Sequence, residues 1–168
     1  MFAIGEYVAC RNKGVCVVED ISTLNISGID KNRQYYILKP VYQTSSTVYL
    51  PIDASETSVR AVLKEAEAKA LLEEIPYIPT LTIVNEKQSE QTYKECMKTG
   101  DCKEWVKVIK TIYSRNSSRL KAGKKRAAVD EKYSHIVEDS LFGELAVALH
   151  IPKTEVEEYI VKNALLSE

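Results

Sequence analysis

The chain has 168 residues, 45% of them hydrophobic, and a formal net charge of -1 at pH 7. This length allows one domain or two small ones, and the apolar content is enough to fill their cores. A charge so close to zero excludes a general attraction to nucleic acid or membranes, so any electrostatic function must come from local asymmetry. The sequence has no membrane-spanning run and no signal-peptide pattern, and we expect a cytoplasmic location.

Short β-strands are predicted in the first third of the chain. Apolar and β-branched residues cluster at 5–10, 14–24, 33–41 and 47–52, and turn residues such as Asn12-Lys13-Gly14 separate these clusters. Pro51 indicates that the fourth strand ends at a sheet edge. Four or five short strands, with no strand signal after residue 57, predict a small antiparallel β-barrel.

Helical patterns follow the strand patterns. Helices are predicted at 61–74, 85–98, 102–114 and 124–150, with a last one capped by Thr154 and a loop at 116–123. Pro76 and Pro79 interrupt the chain after the first helix. The predicted fold is therefore mixed α+β, with a β-barrel domain at 1–57, a connecting helix and linker at 58–79, and an all-helical domain at 80–168. We expect about five helices in all.

The strongest charge asymmetry lies between Lys110 and Val129, where seven residues are basic and none is acidic. Its centre is predicted to be a loop that enters a helix N-terminus, where cations oppose the helix macrodipole. Basic side chains and backbone N–H groups bind phosphate at such a place. A solvated basic face explains the pattern about equally well. The candidate phosphate-binding residues are Arg119, Lys121, Lys124, Lys125 and Arg126.

Other residue types give no pattern of catalysis or metal binding. The sequence contains two histidines, His135 and His150, and lacks the serine-hydrolase, P-loop and zinc-protease motifs. The cysteines at 10, 16, 96 and 102 form no CxxC pair, so small buried apolar residues explain them better than zinc ligands. We expect no enzymatic activity, no cofactor, no metal and no small-molecule substrate.

Trp105 is the only tryptophan, and two interpretations of it are open. An aromatic side chain can act as a wedge between DNA bases. However, Val108 and Ile109 follow at helical spacing, which favours a position in a helical core.

Several short motifs in order resemble the CarD/CdnL family of bacterial transcription regulators. In the first half these are Phe2, Gly5, Glu6, Val8, Gly14, Val15, Val18, Ile21, Tyr35 or Tyr36, Leu38, Val48-Tyr49-Leu50-Pro51 and Arg60. In the second half they are Thr99-Gly100-Asp101, the segment from Leu120 to Lys125, and Gly143-Glu144-Leu145-Ala146. The resemblance spans nearly the whole chain.

The resemblance implies a fold and two partners. The family's Tudor-like N-terminal domain, which also occurs in transcription-repair coupling factors, binds the β subunit of RNA polymerase by adding a strand to its sheet. On this chain that strand would be Thr47, Val48, Tyr49, Leu50 and Pro51. The helical domain contacts promoter DNA near the upstream edge of the transcription bubble and stabilises the open complex with an aromatic wedge. The protein would then associate with the nucleoid through the polymerase, and the basic residues Arg119 to Arg126 would contact DNA.

The chain departs from the family pattern at the wedge. By its spacing from Gly100, the wedge position carries Glu86, and Trp105 lies one helix later. Tyr49 also replaces an arginine of the polymerase-binding strand. A regulator that contacts promoter DNA is therefore one hypothesis, and an adaptor that binds the polymerase but not DNA is the alternative.

Overall fold

The computed structural model describes residues 1–11, 13–43 and 45–166, with the backbone alone for 55–57 and 163–166. The chain divides into two compact units, Met1–Val62 and Leu63–Glu168. All strands of the described residues lie in the first unit and all α-helices lie in the second. The predicted mixed α+β class is confirmed.

Five antiparallel strands form one sheet in the first unit. They are β1 (Tyr7–Cys10), β2 (Gly14–Thr23), β3 (Gln34–Pro40), β4 (Val48–Pro51) and β5 (Val59–Ala61). The spatial order is β4-β3-β2-β1-β5, and the pairings recorded for the described residues do not join β4 to β5. The structure therefore shows the predicted antiparallel sheet, and closure of this sheet into a barrel stays a prediction.

The first four strands lie within the predicted ranges, but the expectation that strands stop after residue 57 is wrong. β5 pairs with β1, so that Arg60 lies opposite Ala9. Three residues are too few to show the alternation by which a strand is recognised in a sequence.

One face of the sheet carries the core of the first unit. Val8, Cys10, Cys16, Val18, Tyr36, Leu38 and Val59 form this cluster. They occupy alternate strand positions because successive side chains point to opposite faces. A register shift between Val18 and Asp20 marks a β-bulge. The buried Tyr36 hydroxyl accepts a hydrogen bond of 2.9 Å from the Phe2 backbone N–H, which fixes the N-terminal segment beside the core.

Six α-helices form the described part of the second unit. They are α1 (Glu65–Glu74), α2 (Ser89–Lys98), α3 (Cys102–Lys121), α4 (Ala128–Val137), α5 (Gly143–Leu149) and α6 (Lys153–Leu166). A 3-10 turn follows α1 at Ile75–Tyr77, another precedes α2 at Glu86–Gln88, and a π-helical turn at Glu138–Phe142 joins α4 to α5.

Two helix predictions are corrected by the structure. The predicted loop at 116–123 is helical as far as Lys121, and the helix predicted from Lys124 begins at Ala128. The buried apolar stripe of α3 stops at Ile112, but the helix continues to Lys121, and Gly123, with a φ of 72°, follows its end in the left-handed conformation.

Three charged residues, Lys110, Asp130 and Glu144, are buried in the helical core, and two of them bind backbone groups. The Lys110 ammonium donates hydrogen bonds to the Ile75 and Ile78 carbonyls at 2.8 and 2.7 Å, so it pairs the acceptors at the end of the turn after α1. The Glu144 carboxylate accepts hydrogen bonds from the Leu63 N–H at 2.9 Å and the Cys102 thiol at 3.6 Å. These contacts attach Leu63, Ile75 and Ile78, from the stretch predicted to be a connecting helix and linker, to the other helices.

Candidate functional site

The strand β4 lies at one edge of the sheet, where the sequence predicts polymerase binding. It pairs with β3 along one side, from Val48 opposite Leu38 to Pro51 opposite Tyr35. Tyr49 is 48% exposed, whereas Val48 and Leu50 pack against the core. Thr47 precedes the strand and is exposed. Among the described residues, no strand pairs with the other side of β4, which therefore presents a backbone edge and one large aromatic side chain, the elements that strand addition uses.

The five basic candidates lie on and after the end of α3. Arg119 and Lys121 are in its last turn, and Lys124, Lys125 and Arg126 follow in an exposed segment before α4. Cations in the last turn of a helix interact favourably with its macrodipole. The expectation that all these cations oppose a helix N-terminus is therefore wrong, because Arg119 and Lys121 lie on a favourable helix end.

The basic segment is fastened to α3 by hydrogen bonds. Lys124 donates its backbone N–H to the Arg119 carbonyl at 2.8 Å. The Arg119 Nε donates in turn to the Lys125 carbonyl at 2.7 Å. These reciprocal bonds set the direction in which the Arg119 guanidinium points.

The charge of Arg126 acts on a different group of side chains. The pKa of the Tyr113 hydroxyl is raised, first by burial and then by the charges of Glu138 and Glu157, while the positive charge of Arg126 lowers it. The basic segment therefore interacts with two sets of residues, one around Arg119 and one around Tyr113.

The wedge position is occupied by an exposed carboxylate. Glu86 begins the 3-10 turn before α2, and the Asn85 side chain caps this turn by accepting a hydrogen bond from the Lys87 N–H at 3.0 Å. The Glu86 side chain is 74% exposed, and its Oε1 lies 3.5 Å from Arg115 and 3.4 Å from Arg119. The structure thus brings the wedge position together with one predicted basic residue and with Arg115.

Arg115 also contacts a buried pair that sequence analysis missed. Its Nε lies 3.2 Å from Oδ2 of Asp130, whose side chain is fully buried. The Tyr93 hydroxyl donates to Oδ1 of Asp130 at 2.9 Å and accepts from Arg115 at 3.3 Å. Burial and the Asp130 charge raise the pKa of Tyr93. The i, i+4 spacing of Arg115 and Arg119 would have indicated a shared face if α3 had been predicted at its full length.

Trp105 lies in the helical core. It is 7% exposed, and its indole N–H donates to the Met97 carbonyl at 3.4 Å. Its neighbours Val106, Val108 and Ile109 are fully buried. This placement agrees with the core interpretation of the sequence.

The cysteines are buried as free thiols in both units. The Cys10 and Cys16 thiols donate to the Arg11 and Gly14 carbonyls, both at 3.8 Å, and the neighbouring Cys16 thiol is the largest cause that lowers the pKa of Cys10. Within the described residues, we find no cluster of three or more His, Cys, Asp and Glu side chains suited to a metal ion. No helix there is long and apolar enough to cross a membrane.

Comparison with known proteins identifies the first unit. Residues 2–63 match the family model of the CarD-like/TRCF RID domain. No curated protein matches the chain. The match covers the whole sheet and ends next to the boundary at Val62. This match to residues 2–63 supports the resemblance to CarD-like proteins that the sequence motifs indicated.

Proposed function

We propose that this protein is a non-enzymatic bacterial transcription regulator. Its sheet unit binds the β subunit of RNA polymerase, and its helical unit contacts promoter DNA near the upstream edge of the bubble and modulates the open complex. The observation that carries this proposal is the match of residues 2–63 to the RID family. The Tudor-like barrel of that family is the proposed full form of the five-stranded sheet.

The polymerase contact is proposed to be strand addition at β4. Backbone N–H and C=O groups on the free side of an edge strand pair with an incoming strand, and alternate side chains give specificity. Tyr49 projects from this edge and is half exposed. Its ring replaces the charged contact of other family members with an apolar one.

The DNA contact is proposed to use phosphates. The candidates Arg119, Lys121, Lys124, Lys125 and Arg126 are grouped at the end of α3, and the last four of them are exposed. Such contacts add affinity without sequence preference. Trp105 is buried and Glu86 is anionic, so neither supports an aromatic wedge.

The adaptor remains the second candidate, and one observation favours it. An exposed carboxylate at the wedge position would be repelled by the phosphates that line a minor groove. In this alternative the helical unit binds a protein, and the polymerase contact through β4 is unchanged.

Two neighbouring proline variants test the polymerase contact in the full-length protein. Backbone N–H groups of an antiparallel strand alternate between its two sides, so only one of Val48 and Tyr49 donates away from β3. We expect Val48→Pro or Tyr49→Pro, whichever leaves the pairing with β3 intact, to remain folded and to lose co-purification with the polymerase β subunit. Strand addition is rejected if the folded variant keeps full affinity.

A salt titration with forked promoter DNA separates the two candidates. Phosphate contacts give a steep fall of affinity with salt, and replacing Lys124, Lys125 and Arg126 by alanine should flatten the slope by roughly one unit per lost contact. A flat slope for the unmodified protein would favour the adaptor.

A further inference from the structure

Arg115 and Arg119 point their guanidinium groups at the same anion. They lie one turn apart on α3, and one terminal nitrogen of each is close to the same oxygen, Glu86 Oε1. Arginine side chains lose rotamer freedom when they are held in one direction, so the other contacts of each one decide how well the pair is preorganised for an anion.

Buried side chains hold the Arg115 guanidinium in its orientation. Its side chain is 19% exposed, with Nε against the buried Asp130 carboxylate and Nη1 against the Tyr93 hydroxyl. Asp130 Oδ2 accepts no hydrogen bond from the described residues, so the contact with Arg115 is an ion pair by proximity. One terminal nitrogen, Nη2, is left to face Glu86.

Arg119 is fixed in a similar way at its Nε. That nitrogen donates to the Lys125 carbonyl, and Nη1 faces Glu86. The side chain is 29% exposed, so it is accessible from solvent. Both arginines therefore present terminal N–H groups toward one point at the surface of the helical unit.

The carboxylate at this point is weakly held. The distances of 3.4 and 3.5 Å to Arg119 and Arg115 are longer than the roughly 2.7–2.9 Å of strong charge-assisted hydrogen bonds. The Glu86 side chain is 74% exposed and belongs to a short 3-10 turn. It can rotate into water at little cost, and a phosphate group offers more acceptor oxygens to the same nitrogens.

We propose that Arg115 and Arg119 form a clamp for a backbone phosphate of DNA, and that the Glu86 carboxylate occupies this clamp in the free protein. Phosphate binding displaces Glu86 from the two guanidinium groups. This inference rests on the proposed DNA contact and adds Arg115 and a competing anion to it. Glu86 thereby lowers the affinity of the free protein for any polyanion and disfavours phosphates that do not reach both arginines.

A matched pair of glutamine variants tests the clamp. Glu90 lies four residues after Glu86 in the sequence and forms an ion pair with Lys132 at 3.2 Å instead of with the two arginines. Glu86→Gln and Glu90→Gln change the net charge equally. Glu86→Gln releases two surface ion pairs that phosphate would otherwise have to break. We therefore expect its affinity for a labelled forked DNA duplex at moderate salt to rise about 3–10-fold. Glu90→Gln should gain less than about twofold, because only long-range screened charge is altered.

Removal of one clamp arginine provides the decisive control. Glu86→Gln is also made in an Arg119→Ala protein that circular dichroism confirms as folded. There it should lose most of its gain in DNA affinity. Arg119→Gln replaces Arg119→Ala if the alanine variant unfolds. Equal gains for Glu86→Gln and Glu90→Gln, or an undiminished gain without Arg119, overturn the clamp and leave the proposed DNA contact standing. No binding by any of these proteins at low salt overturns both.

Discussion

The sheet unit and the helical unit are stabilised by different kinds of contact. In the sheet unit the core is apolar, and its polar partners are backbone groups paired along antiparallel strands. In the helical unit the core also encloses polar side chains. All buried polar and charged side chains among the described residues lie there, namely Ser89, Lys110, Thr111, Asp130, Ser134 and Glu144.

This difference indicates how each unit achieves specificity. A backbone edge accepts a partner strand whatever most of its side chains are, so the sheet unit tolerates exchange of exposed residues. A buried charge is stable only beside its own partners, because an unpaired one has a large desolvation cost. In the helical unit a single substitution therefore changes both stability and the direction of surface groups such as Arg115.

The largest expected effect is in the helical core. Trp105→Ala should lower the free energy of unfolding by about 3–5 kcal/mol, since a large buried ring is removed and a cavity remains. Urea unfolding followed by circular dichroism measures it, and Tyr77→Ala, at an exposed ring, is the control with little expected change. A stable Trp105→Ala protein that has lost open-complex stabilisation would contradict this prediction and make Trp105 a wedge.

Lys110→Met should have the next largest effect. Methionine fills the space of the side-chain stem, but the Ile75 and Ile78 carbonyls lose a charged donor, which costs about 1.5–3 kcal/mol. Faster amide hydrogen exchange in residues 75–78 would localise the loss. Lys103→Met, at an exposed lysine paired with Glu74, is the control. If both variants unfold at the same urea concentration, the buried ammonium contributes nothing to stability.

Tyr36→Phe examines the sheet unit. It removes the hydroxyl that accepts the Phe2 N–H while the ring stays buried, so we expect a loss of about 1 kcal/mol. Tyr49→Phe, at the exposed ring of β4, should leave stability unchanged. A loss of stability well above about 1 kcal/mol for Tyr36→Phe would mean that buried side-chain hydrogen bonds matter in both units. The proposed difference between the sheet unit and the helical unit would then be wrong.

The smallest effect concerns Glu138 and depends on pH. Burial, and secondarily the charge of Glu157, raise the pKa of Glu138, while His135 and Lys153 oppose this and Asp139 adds to it. Because the folded protein holds this proton more tightly than the unfolded chain, stability is lost as pH rises through the raised pKa. Glu138→Gln should therefore increase the thermal midpoint slightly at pH 7 and leave it unchanged near pH 4. An increase of the same size at both pH values would exclude this cause.

Sequence analysis was most successful where local pattern and structure coincide. The first four strands alternate clearly, and α3 begins at the predicted residue 102, where the Asp101 side chain caps it with its Oδ1 2.9 Å from the Lys103 N–H. The second half of α3 was missed because its faces are polar, and only tertiary contacts of Arg115 and Arg119 mark it as structured. Contacts such as Asp130 with Tyr93, 37 residues apart, leave no local signal in one sequence.

The π-helical turn at Glu138–Phe142 has a consequence for which deletions this chain can tolerate. Such a turn amounts to roughly one residue inserted into an α-helix. Deleting that residue would rotate everything after it by about 100°, and Glu144 would turn away from the Leu63 N–H and the Cys102 thiol. Deleting one residue of this turn would therefore leave a buried carboxylate without its two donors, and it should be tolerated only together with replacement of Glu144.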